Sequence, residues 1–159
     1  METPDSGRSA VGVRTAVVGP EHVVQNYVLV ADDHDDTRFL LKAILERRPG
    51  IKVVEASNGE IASALAMSIR IDMVLVDRDL ALLDGYSVTK RIREHAFVRN
   101  LPIIMMSDSA ESSAQARAYE VGCDDFIVKP FPLSLLSTLL QRHLTANEAG
   151  NQAQDRNAS

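Results

Sequence analysis

The sequence predicts a doubly wound α/β fold, a (βα)5 arrangement on a five-stranded parallel sheet, and three observations predict it. Short Val/Ile/Leu/Met runs alternate with longer segments of helical period. The first run, Tyr27 to Ala31, is apolar throughout rather than at every second position, as a strand covered by helices on both faces must be. Four of the five break directly onto polar residues suited to a site at the mouth of the sheet.

The first strand is Tyr27 to Ala31, which ends abruptly at Asp32-Asp33-His34-Asp35-Asp36. Leu40, Leu41, Ile44 and Leu45 form the stripe of the first helix, which stops before Pro49-Gly50. Lys52 to Ala56 is the second strand and Asn58-Gly59 a turn; Ala62, Leu65, Ala66 and Ile69 mark the second helix. Met73 to Asp77 is a buried strand that ends on a carboxylate. After Asp84-Gly85 a third helix runs to about His95, with Val88 and Ile92 inward. Pro102 to Met106 is the fourth strand, and Ala114, Ala118 and Val121 lie on a fourth helix that Gly122 is placed to cap. Phe126 to Val128 is the fifth strand. Beyond Lys129-Pro130-Phe131-Pro132, the last helix carries Leu135, Leu136, Leu139 and Leu140 and ends near Leu144.

Composition narrows the function. The chain has 159 residues, 45% hydrophobic and 25% charged, as expected of a globular domain. Its 22 acidic and 17 basic residues give a net charge of −5, so nothing suggests direct nucleic-acid binding. The lone cysteine, Cys123, excludes an intrachain disulfide and a CxxC site. No apolar run reaches the ~20 residues that span a bilayer, and the first residues lack the basic-then-apolar order of a signal peptide. A cytoplasmic protein without a membrane partner is expected. Residues 1–25 and 146–159 have little to bury and are expected to be tails, disordered in the second case, around a domain at 26–145.

The polar residues at the strand ends carry the chemistry. Strand one exits into Asp32 and Asp33, strand three into Asp77, strand four into Ser107 and strand five into Lys129. Taken singly, Asp32 or Asp33 reads as a helix N-cap, Asp77 as a loop carboxylate, Ser107 as a turn residue and Lys129 as a solvated lysine. Folding gathers them into one pocket. Crowded carboxylates need a compensating cation, and an oxygen-rich set favours Mg2+. His34 lies beside the acidic run but has no partner at metal-ligand spacing. A carboxylate beside Mg2+ and an ammonium suits attack on phosphorus, which points to aspartyl phosphate.

At this point the chain resembles a known family, the receiver domain of two-component response regulators, in VLVADDHDD, VLVDRDLALLDG, PIIMMSDSA and GCDDFIVKPF. The separations Asp33–Asp77, Asp77–Ser107 and Ser107–Lys129 agree with that family. The resemblance implies a flavodoxin-like, CheY-like three-layer sandwich. It implies that Asp77 is the phosphoacceptor, with Ser107 and Lys129 as its catalytic partners. Mg2+ is held by Asp32, Asp33, Asp77 and the backbone carbonyl of Asp79. Ser107 and Phe126 form the conformational switch, with Phe126 preferring a buried position, and Lys129-Pro130 is a cis peptide.

Two positions depart from the family pattern. Ala81 stands where a proline is common and frees the loop after the acceptor, although Asp84-Gly85 keeps the turn. Asp108 follows the switch hydroxyl where a small residue is usual, and is expected to slow the approach of a phosphodonor. Arg78, Asp79 and Ser109 lie where receivers tune the phosphoryl lifetime.

The resemblance implies a non-enzymatic, stand-alone response regulator. A sensor histidine kinase or histidine phosphotransfer protein phosphorylates Asp77, and an output protein reads the face of the fourth helix, fifth strand and fifth helix. Two alternatives remain at the level of sequence. One is an interaction module on the same fold that works without phosphorylation. The other is a phosphatase of the haloacid dehalogenase type, suggested by Asp77-Arg78-Asp79.

Overall fold

The computed structural model describes residues 24–144, so the expected tails lie outside the described residues except for Val24 and Gln25. Five strands alternate with five helices: β1 (Asn26–Ala31), α1 (Asp35–Leu45), β2 (Ile51–Ala56), α2 (Gly59–Ser68), β3 (Met73–Asp77), α3 (Gly85–Glu94), β4 (Ile103–Ser107), α4 (Ser112–Val121), β5 (Asp125–Val128) and α5 (133–144). All pairings are parallel, in the order β2-β1-β3-β4-β5. The order reverses between β1 and β3, and in open α/β sheets the crevice for function opens at that switch point. Asp32 follows β1 and Asp77 ends β3.

Alternation along the strands splits the core in two. Val28, Val30, Met73, Leu75, Ile104 and Met106 face Leu41 and Leu45 of α1 and Leu136, Leu139, Leu140 and Leu144 of α5. Leu29, Ala31, Val74, Val76, Ile103 and Met105 face Ala62 and Ala66 of α2, Val88 and Ile92 of α3, and Ala118 of α4. Burying each Leu or Ile contributes about 1.5–3 kcal/mol. The central strands are sealed on both faces, which explains their unbroken apolar runs.

The helix termini follow local chemistry. Asn58 Oδ1 accepts the Ile61 N–H at 2.8 Å and Asp84 Oδ1 the Ser87 N–H at 2.8 Å, so Asn58 and Asp84, expected as turn residues, are N-caps. Gly122 ends α4 at φ 112°, as its position predicts. Two expected core residues face solvent instead. Leu40 is 58% exposed, because α1 buries the Leu41–Leu45 line, and Ile69 is 46% exposed, because α2 has already ended at Ser68.

Candidate functional site

The loop after β3 is held by backbone hydrogen bonds that need no proline. Ala81 O accepts the N–H groups of Gly59 at 3.1 Å and Leu83 at 2.8 Å, and Arg78 O accepts that of Gly85 at 2.8 Å. The loop expected to be freed by Ala81 is therefore tied at both ends. Leu82 sits at φ 68° between Ala81 and Leu83, the strained hand of a γ-turn. Gly85 is required by close approach: a Cβ there would stand 2.5 Å from the Asp77 carbonyl. α3 thus starts directly against the end of β3.

Asp32 and Asp77 are almost fully buried, at 0% and 3% exposure. Lys129 Nζ bridges them, donating to Asp32 Oδ2 at 2.7 Å and Asp77 Oδ2 at 2.9 Å. The other oxygen of each carboxylate accepts a backbone N–H: His34 to Asp32 at 2.9 Å, and Asp79 to Asp77 at 3.1 Å. One ammonium therefore holds two residues that are 45 apart in sequence, at the switch point of the sheet.

The environments drive the two carboxyls apart. Burial would raise Asp32, but Lys129 and the His34 N–H outweigh it and hold Asp32 below its ordinary value. At Asp77 burial dominates, helped by the charge of Asp32, and the carboxyl stands above its ordinary value despite Lys129 and the Asp79 N–H. Burial would lower Lys129, yet its two carboxylate partners raise it, so it stays protonated. Asp32 is the fixed anion and Asp77 the more basic oxygen.

Ligand atoms of Asp32, Asp33, His34 and Asp77 all lie within 4.8 Å of one another. His34 Nδ1 is 3.2 Å from Asp32 Oδ1 and 3.1 Å from Asp33 Oδ1, and its hydrogen bond to Asp32, followed by the charges of both carboxylates, raises its pKa. The imidazole set aside in the sequence is therefore part of the cluster. The three carboxylates are a hard-oxygen donor set with only one lysine to balance them, which fits Mg2+.

The remaining expected residues stand beside this cluster. Ser107 is fully buried at the end of β4, one position past Met106, which is in register with Asp77. Its Oγ accepts the Ser109 N–H at 3.0 Å. Phe126 lies opposite Met105 and is only partly buried against the core, not sealed inside it. Asp79 turns its side chain to Arg78, at 2.9 Å. Asp108 is exposed, and the Lys129–Pro130 bond is cis. Beside the pocket mouth, Leu40, Leu41, Phe131 and Leu133 line an apolar hollow next to Lys129, with Phe39 73% exposed on α1. Only the misplaced Leu40 hinted at this rim.

A family model for the response regulator receiver domain matches residues 28–141. The chain belongs to the receiver family. Curated relatives include the transcriptional regulatory protein SrrA of Staphylococcus aureus, 41% identical over 108 residues, which are 68% of this chain and 43% of SrrA. The chain thus spans less than half the length of such relatives. The receiver domain of the sensor histidine kinase PA1611 from Pseudomonas aeruginosa is 30% identical with a TM-score of 0.71, covers 77% of this chain and 99% of its own, and is described with magnesium in its active-site cleft. The Vibrio cholerae chemotaxis protein CheY4 is 27% identical with a TM-score of 0.71 over 76% of this chain and all of its own. The receiver fold and a place in phosphorylation-based two-component signalling are thereby established, and receivers are characteristically signalling modules. No helix among the described residues is long and apolar enough to cross a membrane.

Proposed function

We propose that Asp77 accepts a phosphoryl group from a sensor histidine kinase or histidine phosphotransfer protein. The observation that carries this reading is the bridge from Lys129 Nζ to Asp32 and Asp77 at 2.7 and 2.9 Å, inside an otherwise acidic cluster. Asp32, Asp33, Asp77 and the main-chain carbonyl of Asp79 would hold Mg2+. The bound ion would supply positive charge to offset that on the transferring oxygens.

The protein's own groups do the rest. A carboxylate oxygen of Asp77 forms the new P–O bond as the P–N bond of the donor breaks, and that bond's electron pair stays on the imidazole nitrogen. Asp77 attacks as the carboxylate, a form that Lys129 and the Asp79 N–H favour against burial, and Asp32 stays ionised beside it. Lys129 keeps its proton and places a positive charge beside the incoming oxygens. Ser107 Oγ leaves its Ser109 partner to meet the phosphoryl group, and Phe126 moves inward from its partly buried position.

The signal then leaves through the face of α4, β5 and α5, where Tyr119 is 44% exposed. The net charge of −5 favours a protein as the partner of this domain over nucleic acid, in a cytoplasmic setting. SrrA extends well past the matched segment, so the stand-alone expectation gains no support from it. The phosphatase reading has a structural objection, since its DxD belongs on the first strand and Asp77 ends β3.

The test is intact-protein mass after incubation with acetyl phosphate and Mg2+. Wild type is expected to gain one phosphoryl group, and Asp77→Asn or metal-free protein none. Equal labelling of Asp77→Asn would overturn the assignment.

A further inference from the structure

The loop that carries Asp32, Asp33 and His34 is gripped from behind by a residue outside the pocket. Arg38, on α1, has only 14% of its side chain exposed. Its Nη1 donates to the Asp32 carbonyl at 2.7 Å, its Nη2 to Asp35 Oδ1 at 2.6 Å and its Nε to Glu55 Oε1 at 3.1 Å. Glu55 lies on edge strand β2, in register with Val30. The Asp32 N–H is itself bonded to Ala56 O at 3.1 Å. Both peptide planes flanking Asp32 are therefore fixed to β2, one directly and one through Arg38.

We propose that Arg38 is a positioning residue for the divalent-cation site, acting through the Asp32–Asp33 peptide and anchored on Glu55. This rests on the reading that the acidic cluster holds Mg2+. The plane of that peptide sets where Asp32 ends and Asp33 begins, so fixing its carbonyl fixes the relative aim of two adjacent carboxylates. A planar guanidinium holds its three acceptors in one fixed plane and spans the distance between them, whereas the three donors of an ammonium rotate about a single nitrogen. Residues that orient ligands from behind in this way typically govern affinity for the ion.

Charge and positioning predict opposite signs. Arg38 is a cation beside an acidic cluster, so removing it would tighten Mg2+ binding if only its charge mattered. Loss of a positioning contact loosens it. Isothermal titration of Mg2+ at fixed ionic strength therefore decides, on wild type, Arg38→Met and Arg38→Lys, with circular dichroism confirming that each is folded. Arg38→Met is expected to bind Mg2+ about ten-fold more weakly. Arg38→Lys keeps the charge but not the fork, and is also expected to bind more weakly; it decides the matter alone if Arg38→Met does not fold. Unchanged or tighter binding in the folded variants, against a wild type that binds, overturns this proposal and leaves the phosphoacceptor reading intact. A wild type with no affinity for Mg2+ overturns the metal reading, and this one with it.

Discussion

The two ends of the sheet use the same residue type for opposite purposes. At the amino end, each aspartate has partners that match its charge. Asp124 Oδ2 accepts the Ile103 N–H at 2.8 Å and pairs with Arg93 at 2.9 Å, and Asp125 pairs with His143 at 2.6 Å and Arg142 at 3.3 Å. Arg93 also donates to the carbonyls of Gly122, Arg99 and Leu101, stitching α3 to the turn after α4. At the carboxyl end, Asp32, Asp33 and Asp77 crowd around Lys129 and His34. Satisfied carboxylates hold elements together, whereas an excess of carboxylate leaves a demand for cation that can be put to chemical use.

Substitutions at the two ends should separate stability from phosphorylation. At the carboxyl end, Lys129→Met is expected to slow labelling by acetyl phosphate about 100-fold, measured by intact mass against time. At the amino end, Arg93→Ala leaves two half-buried carbonyls without their side-chain donor and Asp124 with only the Ile103 N–H, and is expected to cost about 3 kcal/mol in denaturant unfolding. Labelling of the folded Arg93→Ala protein should stay at the wild-type rate; a large fall would erase the division between the ends.

Cys123, beside Asp124, extends the comparison to alkaline pH. Burial pushes its thiol up to about 11. The folded state keeps the proton where the unfolded chain, near 9, releases it. The stabilisation is therefore complete below pH 9 and is lost as pH rises to 11. Between those limits wild type should lose about 2 kcal/mol more than Cys123→Ala in parallel unfolding titrations. The smallest effect returns to the site. Asp77→Asn removes one charge from the crowded end, and should raise unfolding stability by about 1 kcal/mol while abolishing labelling.

The fold was legible because the central strands β1, β3 and β4 are buried on both faces, and such strands announce themselves without any tertiary information. The pocket was legible for a related reason, since Asp32, Asp77, Ser107 and Lys129 directly follow or end strands of the sheet. What stayed hidden depends on side chains reaching main-chain groups far away. Arg93 meets three carbonyls in loops that have no period, and Arg38 meets the Asp32 carbonyl only because α1 folds back over β1. Leu40 misled for a subtler reason: it shares the spacing of the α1 stripe but points at the Pro130–Leu133 segment, beside the pocket rather than under the sheet. His34 was passed over because its partners, Asp32 and Asp33, are its own sequence neighbours, a spacing that does not resemble a metal motif.

Cys123 also gives this protein a built-in vibrational probe. Its Sγ lies 3.6 Å from Thr89 Oγ1, which donates to Gly85 O at 2.8 Å, and Gly85 abuts the Asp77 carbonyl. As the sole thiol in the chain, it contributes one S–H stretch, in an infrared window that protein bands leave clear. If the proposed phosphorylation of Asp77 moves α3, the motion would reach that bond through Thr89, and its frequency would report the change in unlabelled protein from the opposite end of the sheet.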